Sequence, residues 1–135
     1  MLENRVGSLS SVVSMLHEGM VEVIGLSLTD SADVTMARIV VTDPDMVMQL
    51  FLEKGIPHVM TDVAVVELKD GAAGLSKCLA ILTKAETNIH FSYPLLVRSE
   101  NDRPLLAMHL EDINFATGLL EQQGSNVLCQ EDLSR

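Results

Sequence analysis

The feature that most limits what this chain can fold into is that it carries the same pattern twice. "VGSLSSVVSMLHEGMVEVI" (6–24) lies over "AAGLSKCLAILTKAETNIH" (72–90), with Leu9 on Leu75, Ser10 on Ser76, Val13 on Leu79, Leu16 on Leu82 and Val23 on Ile89, a constant spacing of 66 residues (75 − 9). "TDPDMVMQLFLEKGIPHV" (42–59) lies over "EDINFATGLLEQQGSNVL" (111–128), with Asp43 on Asp112, Leu50 on Leu119, Phe51 on Leu120 and Gly55 on Gly124, a spacing of 69 (124 − 55). The difference fits in the loop "VRSENDRP" (97–104), which is longer than its counterpart "TDSAD" (29–33). Self-similarity on this scale sets the unit that must fold.

Both copies read in the same order. Leu9, Val12, Val13 and Leu16 recur at helical spacing and predict a helix over 8–18 that stops near Gly19. "VEVIGLSL" (21–28) alternates and carries β-branched residues, so it reads as a strand, with "DVTMARIVV" (33–41) as its hairpin partner. Asp43 as N-cap with Pro44 at the first helical position starts a second helix, whose stripe is Met46, Val47, Leu50 and Phe51 and whose stop is Gly55. A closing strand then begins at "PHVM" (57–60). In the second copy the elements fall at strand 63–69, helix 75–84, strands 88–96 and 104–110, helix 113–122 behind the N-cap Asp112, and strand 126–129. The order β-α-β-β-α-β is the split βαβ arrangement, two helices over one face of a four-stranded antiparallel sheet. The fold class expected is therefore α+β: two tandem ferredoxin-like units, 1–61 and 62–135, with helices on one face. "TDVAVVELKD" (61–70) runs from one copy into the next without a Pro- or Ser-rich linker, so the units are expected to form one contiguous body.

The copies differ at the start. The strand at 63–69 has a counterpart in the first unit only if residues before Met1 are counted, since Met1 to Glu3 are all that remain. The opening strand is a stub, the true start lies upstream, or another chain fills the place. An uncovered edge is an aggregation liability, which leads us to expect a homodimer that buries it.

Composition removes several classes of function. A net charge of −10 disfavours phosphate backbones and anionic membranes, and aromatics at 3% with no Trp argue against stacking platforms for single-stranded nucleic acid. Apolar content of 47% and a mean hydropathy of +0.28 supply a core, yet no run approaches a bilayer span and no signal peptide is legible. The expected setting is the cytoplasm, without nucleic-acid or membrane partners. Two cysteines make no disulfide framework: Cys78, which replaces Val12 in the repeat, reads as core, and Cys129 falls in the terminal strand. His17, His58, His90 and His109 show no metal spacing. Met46, Met48 and Met60 read as core filler. Glu111-Asp112 reads as a helix cap and Glu131-Asp132 as a solvated tail, not as catalytic pairs. "GAAG" (71–74) lacks the Gly-Lys-Ser/Thr ending of a P-loop. No nucleophile–base pairing, cofactor motif or metal set emerges, so an enzyme is not expected.

Three short stretches carry a resemblance. "NRVGSL" (4–9), less closely "DGAAGL" (70–75), and "AETNIHFSY" (85–93) resemble the ACT domain, a small amino-acid-binding regulatory module, whose mark is Asn or Asp, two variable residues, Gly, one residue and Leu. The first half also resembles the start of the regulatory small subunit of acetolactate synthase, whereas the second is closer to stand-alone tandem ACT proteins. The family's Pro is absent: Val6 and Ala72 stand in its place. The resemblance implies side-by-side pairing of modules, with an amino acid held at the seam against the loop after the first strand. The residues so implicated are Asn4, Arg5, Val6, Gly7, Ser8 and Leu9, and Asp70, Gly71, Ala72, Ala73, Gly74 and Leu75.

Physical chemistry is compatible with that role. A ligand carboxylate suits N–H groups at a helix N-terminus, and an ammonium suits backbone carbonyls or the Asn4 amide oxygen. Gly7 would let a ligand approach the backbone. The plainer reading makes Ser8 the N-cap of an ordinary helix. Because Asp70 and Ala73 stand where the first copy has Asn4 and Gly7, the first loop is expected to be the stronger site. The function implied is a non-catalytic regulatory protein that binds a small molecule, with an amino acid as the expected ligand. The alternative is a regulatory or structural subunit of an amino-acid biosynthetic enzyme, such as acetolactate synthase, with a vestigial pocket.

Overall fold

In the computed structural model, residues 5–30 and 35–134 are described; the candidate residue Asn4 lies outside them. The elements are α1 (Arg5–Glu18), β1 (Val23–Asp30), β2 (Thr35–Val41), α2 (Pro44–Lys54), β3 (Ala64–Glu67), α3 (Ala72–Lys84), β4 (Ile89–Arg98), β5 (Pro104–Leu110), α4 (Ile113–Gln122), β6 (Asn126–Leu128) and α5 (Gln130–Leu133). The chain divides into two units, Met1–Met60 with Leu133–Arg135, and Thr61–Asp132.

The second unit realises the full order β3-α3-β4-β5-α4-β6. Its sheet runs β4-β5-β3-β6 with every neighbour antiparallel. Alternation along the strands sends Ala64, Val66, Leu106, Met108 and Leu110 to one face, where they meet Cys78 and Leu82 of α3 and Ala116 and Leu120 of α4. Both helices therefore cover the same face. Asp112 caps α4, its carboxylate accepting from the Phe115 N–H at 3.3 Å. In the first unit β1 and β2 form an antiparallel hairpin. Leu16 of α1 and Val47 and Phe51 of α2 pack with Val21 and Val41. Asp43 caps α2 through the Met46 N–H at 3.2 Å, with Pro44 opening the helix.

The duplication extends into the backbone. Four helices end with paired hydrogen bonds of the Schellman type. The left-handed residues are Met20 (φ 63), Gly55 (φ 67), Glu86 (φ 54) and Gly124 (φ 91). At α1, Val21 N–H reaches Leu16 O (2.8 Å) and Met20 N–H reaches His17 O (2.9 Å); at α3, Thr87 N–H reaches Leu82 O and Glu86 N–H reaches Thr83 O, both 3.0 Å. The sequence points to Gly19 as the stop of α1, but Met20 adopts the left-handed turn. A β-bulge also recurs, between Val23 and Gly25 opposite Val41 and Val40, and between Ile89 and Phe91 opposite Leu110 and His109.

Several expectations are corrected. No strand forms at 57–60: β6 exists because β3 lies beside it, and among the described residues the first unit offers no such neighbour. α1 and α3 begin three residues earlier than the 8–18 and 75–84 expected. Cys129 is not in a strand; β6 stops at Leu128, and Asp132 accepts from the Cys129 N–H (3.1 Å), closing the single turn α5 where a solvated tail was expected. Met46 and Met60 are exposed, and so is Val13; its repeat partner Leu79 is exposed too, so the pair shares a helix face but not the core.

Candidate functional site

The second candidate loop is a tight entry into α3. β3 stops at Glu67, short of the 63–69 expected; Lys69 opens the turn, and Asp70 (φ 60) and Gly71 (φ 54) reverse the chain with positive φ at both residues. Aspartate tolerates this region because its short polar side chain bonds locally. Ala72 to Leu75 are helix, not loop. Gly71 is the N-cap and has no side chain to offer; Ala73 N–H reaches Asp70 O (3.2 Å) and Leu75 N–H reaches Gly71 O (3.0 Å). With no side-chain cap, the first turn presents N–H donors that a carboxylate can accept from. Gly74 packs its backbone against that of Lys69, where a Cβ would meet the carbonyl oxygen. Ala73, the position aligned with Gly7, is exposed. Lys69 Nζ donates to the Gly124 carbonyl at 3.2 Å and ties this turn to the end of α4.

In the first copy, Arg5, Val6 and Gly7 form the opening turn of α1, and Ser8 and Leu9 follow half-buried. Ser8 stands fourth in the helix, so it is not the N-cap that the plainer reading supposes. Each set of described candidates thus gathers at one helix start within its own unit.

Two features escape a reading of the sequence. The first is Glu67, at the end of β3 and only 4% exposed. Its carboxylate accepts from the Arg103 guanidinium (3.1 Å) and the Asn101 amide (3.3 Å). The Ser99 hydroxyl first, then Arg103 and Asn101, hold it below the ordinary carboxylate range against the opposing effect of burial. All three partners lie in the β4–β5 loop, the one whose extra length offsets the repeats, and that length is the signal the sequence offers.

The second is a ladder of rings on β4 and β5. His90 and His109 have centroids 5.1 Å apart, His109 stacks on Phe91 at 5.0 Å, and Phe91 on Tyr93 at 6.1 Å. His109 Nδ1 also lies 3.1 Å from the Asp62 carbonyl oxygen. The equivalent residues of the first unit are Ile24, Val40, Gly25 and Ser27, so the shared fold does not require the rings. Cys78 is buried in the core, which pushes its thiol pKa up and makes it unreactive, while Cys129 is exposed. Among the described residues no group of three or more His, Cys, Asp or Glu is placed to hold a metal ion. No helix among them is long and apolar enough to cross a membrane.

Residues 1–131 match a family model described as an ACT domain pair. The fold is similar to that in the crystal structure of protein BT0572 from Bacteroides thetaiotaomicron, with a TM-score of 0.87 and 22% identity over 99% of this chain and 91% of that one. No curated protein matches the chain.

Proposed function

The chain belongs to the family of paired ACT domains, regulatory modules that commonly bind small-molecule ligands, and from that premise we propose that it is a non-catalytic regulator whose ligand is an amino acid. The observation that carries this reading is the start of α3, where Gly71 caps without a side chain and the first turn offers an incoming carboxylate the N–H donors other than that of Ala73, which the Asp70 carbonyl takes. The neighbouring Asp70 carboxylate and turn carbonyls suit an ammonium. An amino acid pairs those two charges a few ångströms apart, as a simple anion does not. The start of α1 takes the same role, with Gly7 in its opening turn. A bound amino acid regulates only through different affinity for two states of the protein or its assembly. A homodimer in the cytoplasm is the form in which we expect it to act.

A thermal-shift screen over the twenty amino acids, followed by titration calorimetry, tests this. A specific ligand raises the unfolding temperature progressively with concentration. A flat response to all twenty would replace the proposal with the alternative, an assembly subunit of a biosynthetic enzyme whose pocket no longer binds.

A further inference from the structure

The ring ladder of β4 and β5 brings two histidines together on the sheet face away from α3 and α4. Met108 and Leu110 pack into the core with those helices, so His109 between them points the other way. His90 joins it through the β-bulge: Ile89 lies opposite Leu110 and Phe91 opposite His109, which makes His90 the extra residue. The two imidazole centroids are 5.1 Å apart, with their planes tilted by 40°. His90 is exposed and His109 half-buried. At the equivalent bulge of the first unit the same places hold Ile24 and Val40, so neither the bulge nor the fold needs imidazoles.

One contact fixes the chemistry of His109. Its Nδ1 lies 3.1 Å from the Asp62 carbonyl oxygen, which only accepts, so Nδ1 carries the proton. In the neutral ring the lone pair is then on Nε2. Metal-ligating histidines are held in this way, with the other ring nitrogen donating to a carbonyl that fixes the tautomer. Phe91 stacks on the same ring at 5.0 Å and holds its plane.

We propose that His90 and His109 form a two-imidazole site for a late first-row divalent cation (Ni2+, Cu2+ or Zn2+), with water in the remaining positions. Imidazole nitrogen suits these ions, whereas Mg2+ and Ca2+ take oxygen ligands. An ion bound at about 2.0–2.1 Å to one nitrogen of each ring holds the centroids about 5 Å apart, close to the spacing the two strands set. Among the described residues no third His, Cys, Asp or Glu joins the pair. The site is therefore open and exchangeable, unlike a closed structural centre. A net charge of −10 favours a cation at the surface. The site is separate from the two helix starts and does not rest on an amino-acid ligand.

The test is calorimetric titration of the whole protein with Ni2+, repeated on His90→Phe and His109→Phe. Phenylalanine keeps a ring in the ladder and removes the nitrogens, so a role in packing alone survives the change and metal binding does not. We expect saturable binding to the unaltered protein and a loss of affinity of at least about tenfold in each variant, since even an outer partner of a ligand is worth roughly that much. His17→Phe and Cys129→Ser remove exposed donors elsewhere and should leave the affinity unchanged. His90 is exposed, so His90→Phe decides the matter if circular dichroism shows that His109→Phe disturbs the sheet. The proposal is overturned by undiminished affinity in His90→Phe, by an equal loss in His17→Phe or Cys129→Ser, or by no saturable binding tighter than about 1 mM.

Discussion

Gly74 in the first turn of α3 lies so close to Lys69 that a Cβ on it would run into the Lys69 carbonyl oxygen and stand 3.0 Å from the Lys69 carbonyl carbon and nitrogen. Backbone, not a flexible side chain, blocks the space, so an added Cβ fits only if the turn that carries Lys69 moves. Gly74→Ala is therefore expected to destabilise the protein by about 2–3 kcal/mol. Gly118, inside α4, is the control: a Cβ added there would meet nothing within 4 Å. Gly118→Ala should stabilise by about 0.5–1 kcal/mol through helix propensity. Denaturant unfolding of the two variants reads both signs.

Met20 and Glu86 occupy equivalent left-handed positions that Gly55 and Gly124 fill at the other two helix ends. A side chain there costs roughly 1–2 kcal/mol, and glycine returns about half of that as extra freedom of the unfolded chain. Met20→Gly and Glu86→Gly should each stabilise by about 0.5–1 kcal/mol, and Gly55→Ala and Gly124→Ala should destabilise by a similar amount. Equal effects of one sign at all four sites would mean that strain does not decide them.

Much of this architecture is legible in the sequence, and the exceptions have physical causes. β5 and α4 fall at the expected bounds because Pro104 and Asp112 punctuate them locally. The starts of α1 and α3 read three residues late because glycine-bearing text resembles a loop, although Gly71 is itself the cap. The strand expected at 57–60 follows from the repeat alone, but a strand needs a neighbour to bond, and pattern does not supply one. Glu67 is invisible in the sequence because its partners sit 32 to 36 residues away (Ser99 to Arg103), and nothing local pairs them. At the candidate loops the sequence marks a turn before each helix, but not that Arg5–Gly7 and Ala72–Leu75 are already helical.

Glu67 should give the protein a distinct acid limb. Its pKa is lowered in the folded state from the ordinary carboxylate value, by the Ser99 hydroxyl first and then by Arg103 and Asn101. The stabilisation is fully present above the unfolded-state value and is lost as pH falls through the lower folded value, because the unfolded chain then binds the proton first. Glu67→Gln should flatten the fall in unfolding temperature on acidification. Arg103→Ala, which removes the cation from a buried carboxylate, should cost about 2 kcal/mol at neutral pH and less in acid. An unchanged acid limb in Glu67→Gln would assign the loss of stability to other carboxylates.

The two helix starts should bind unequally. Asp70 places a negative charge beside the donors of α3, which opposes a ligand carboxylate there even as it attracts the ammonium, and the first copy has Asn4 in the aligned position. Gly7 keeps the opening turn of α1 free of a Cβ, whereas Ala73 carries one, although it is exposed. The stronger amino-acid site is therefore expected at the start of α1. Gly7→Leu should remove the tighter phase of a calorimetric titration while circular dichroism stays unchanged, and Ala73→Leu should leave that phase in place. Asp70→Asn reads the second site separately: tighter binding there means that repulsion of the carboxylate dominates, and weaker binding means that Asp70 holds the ammonium. If Gly7→Leu binds with undiminished affinity, the start of α1 is an ordinary helix end and the ligand belongs to the turn at Asp70 and Gly71.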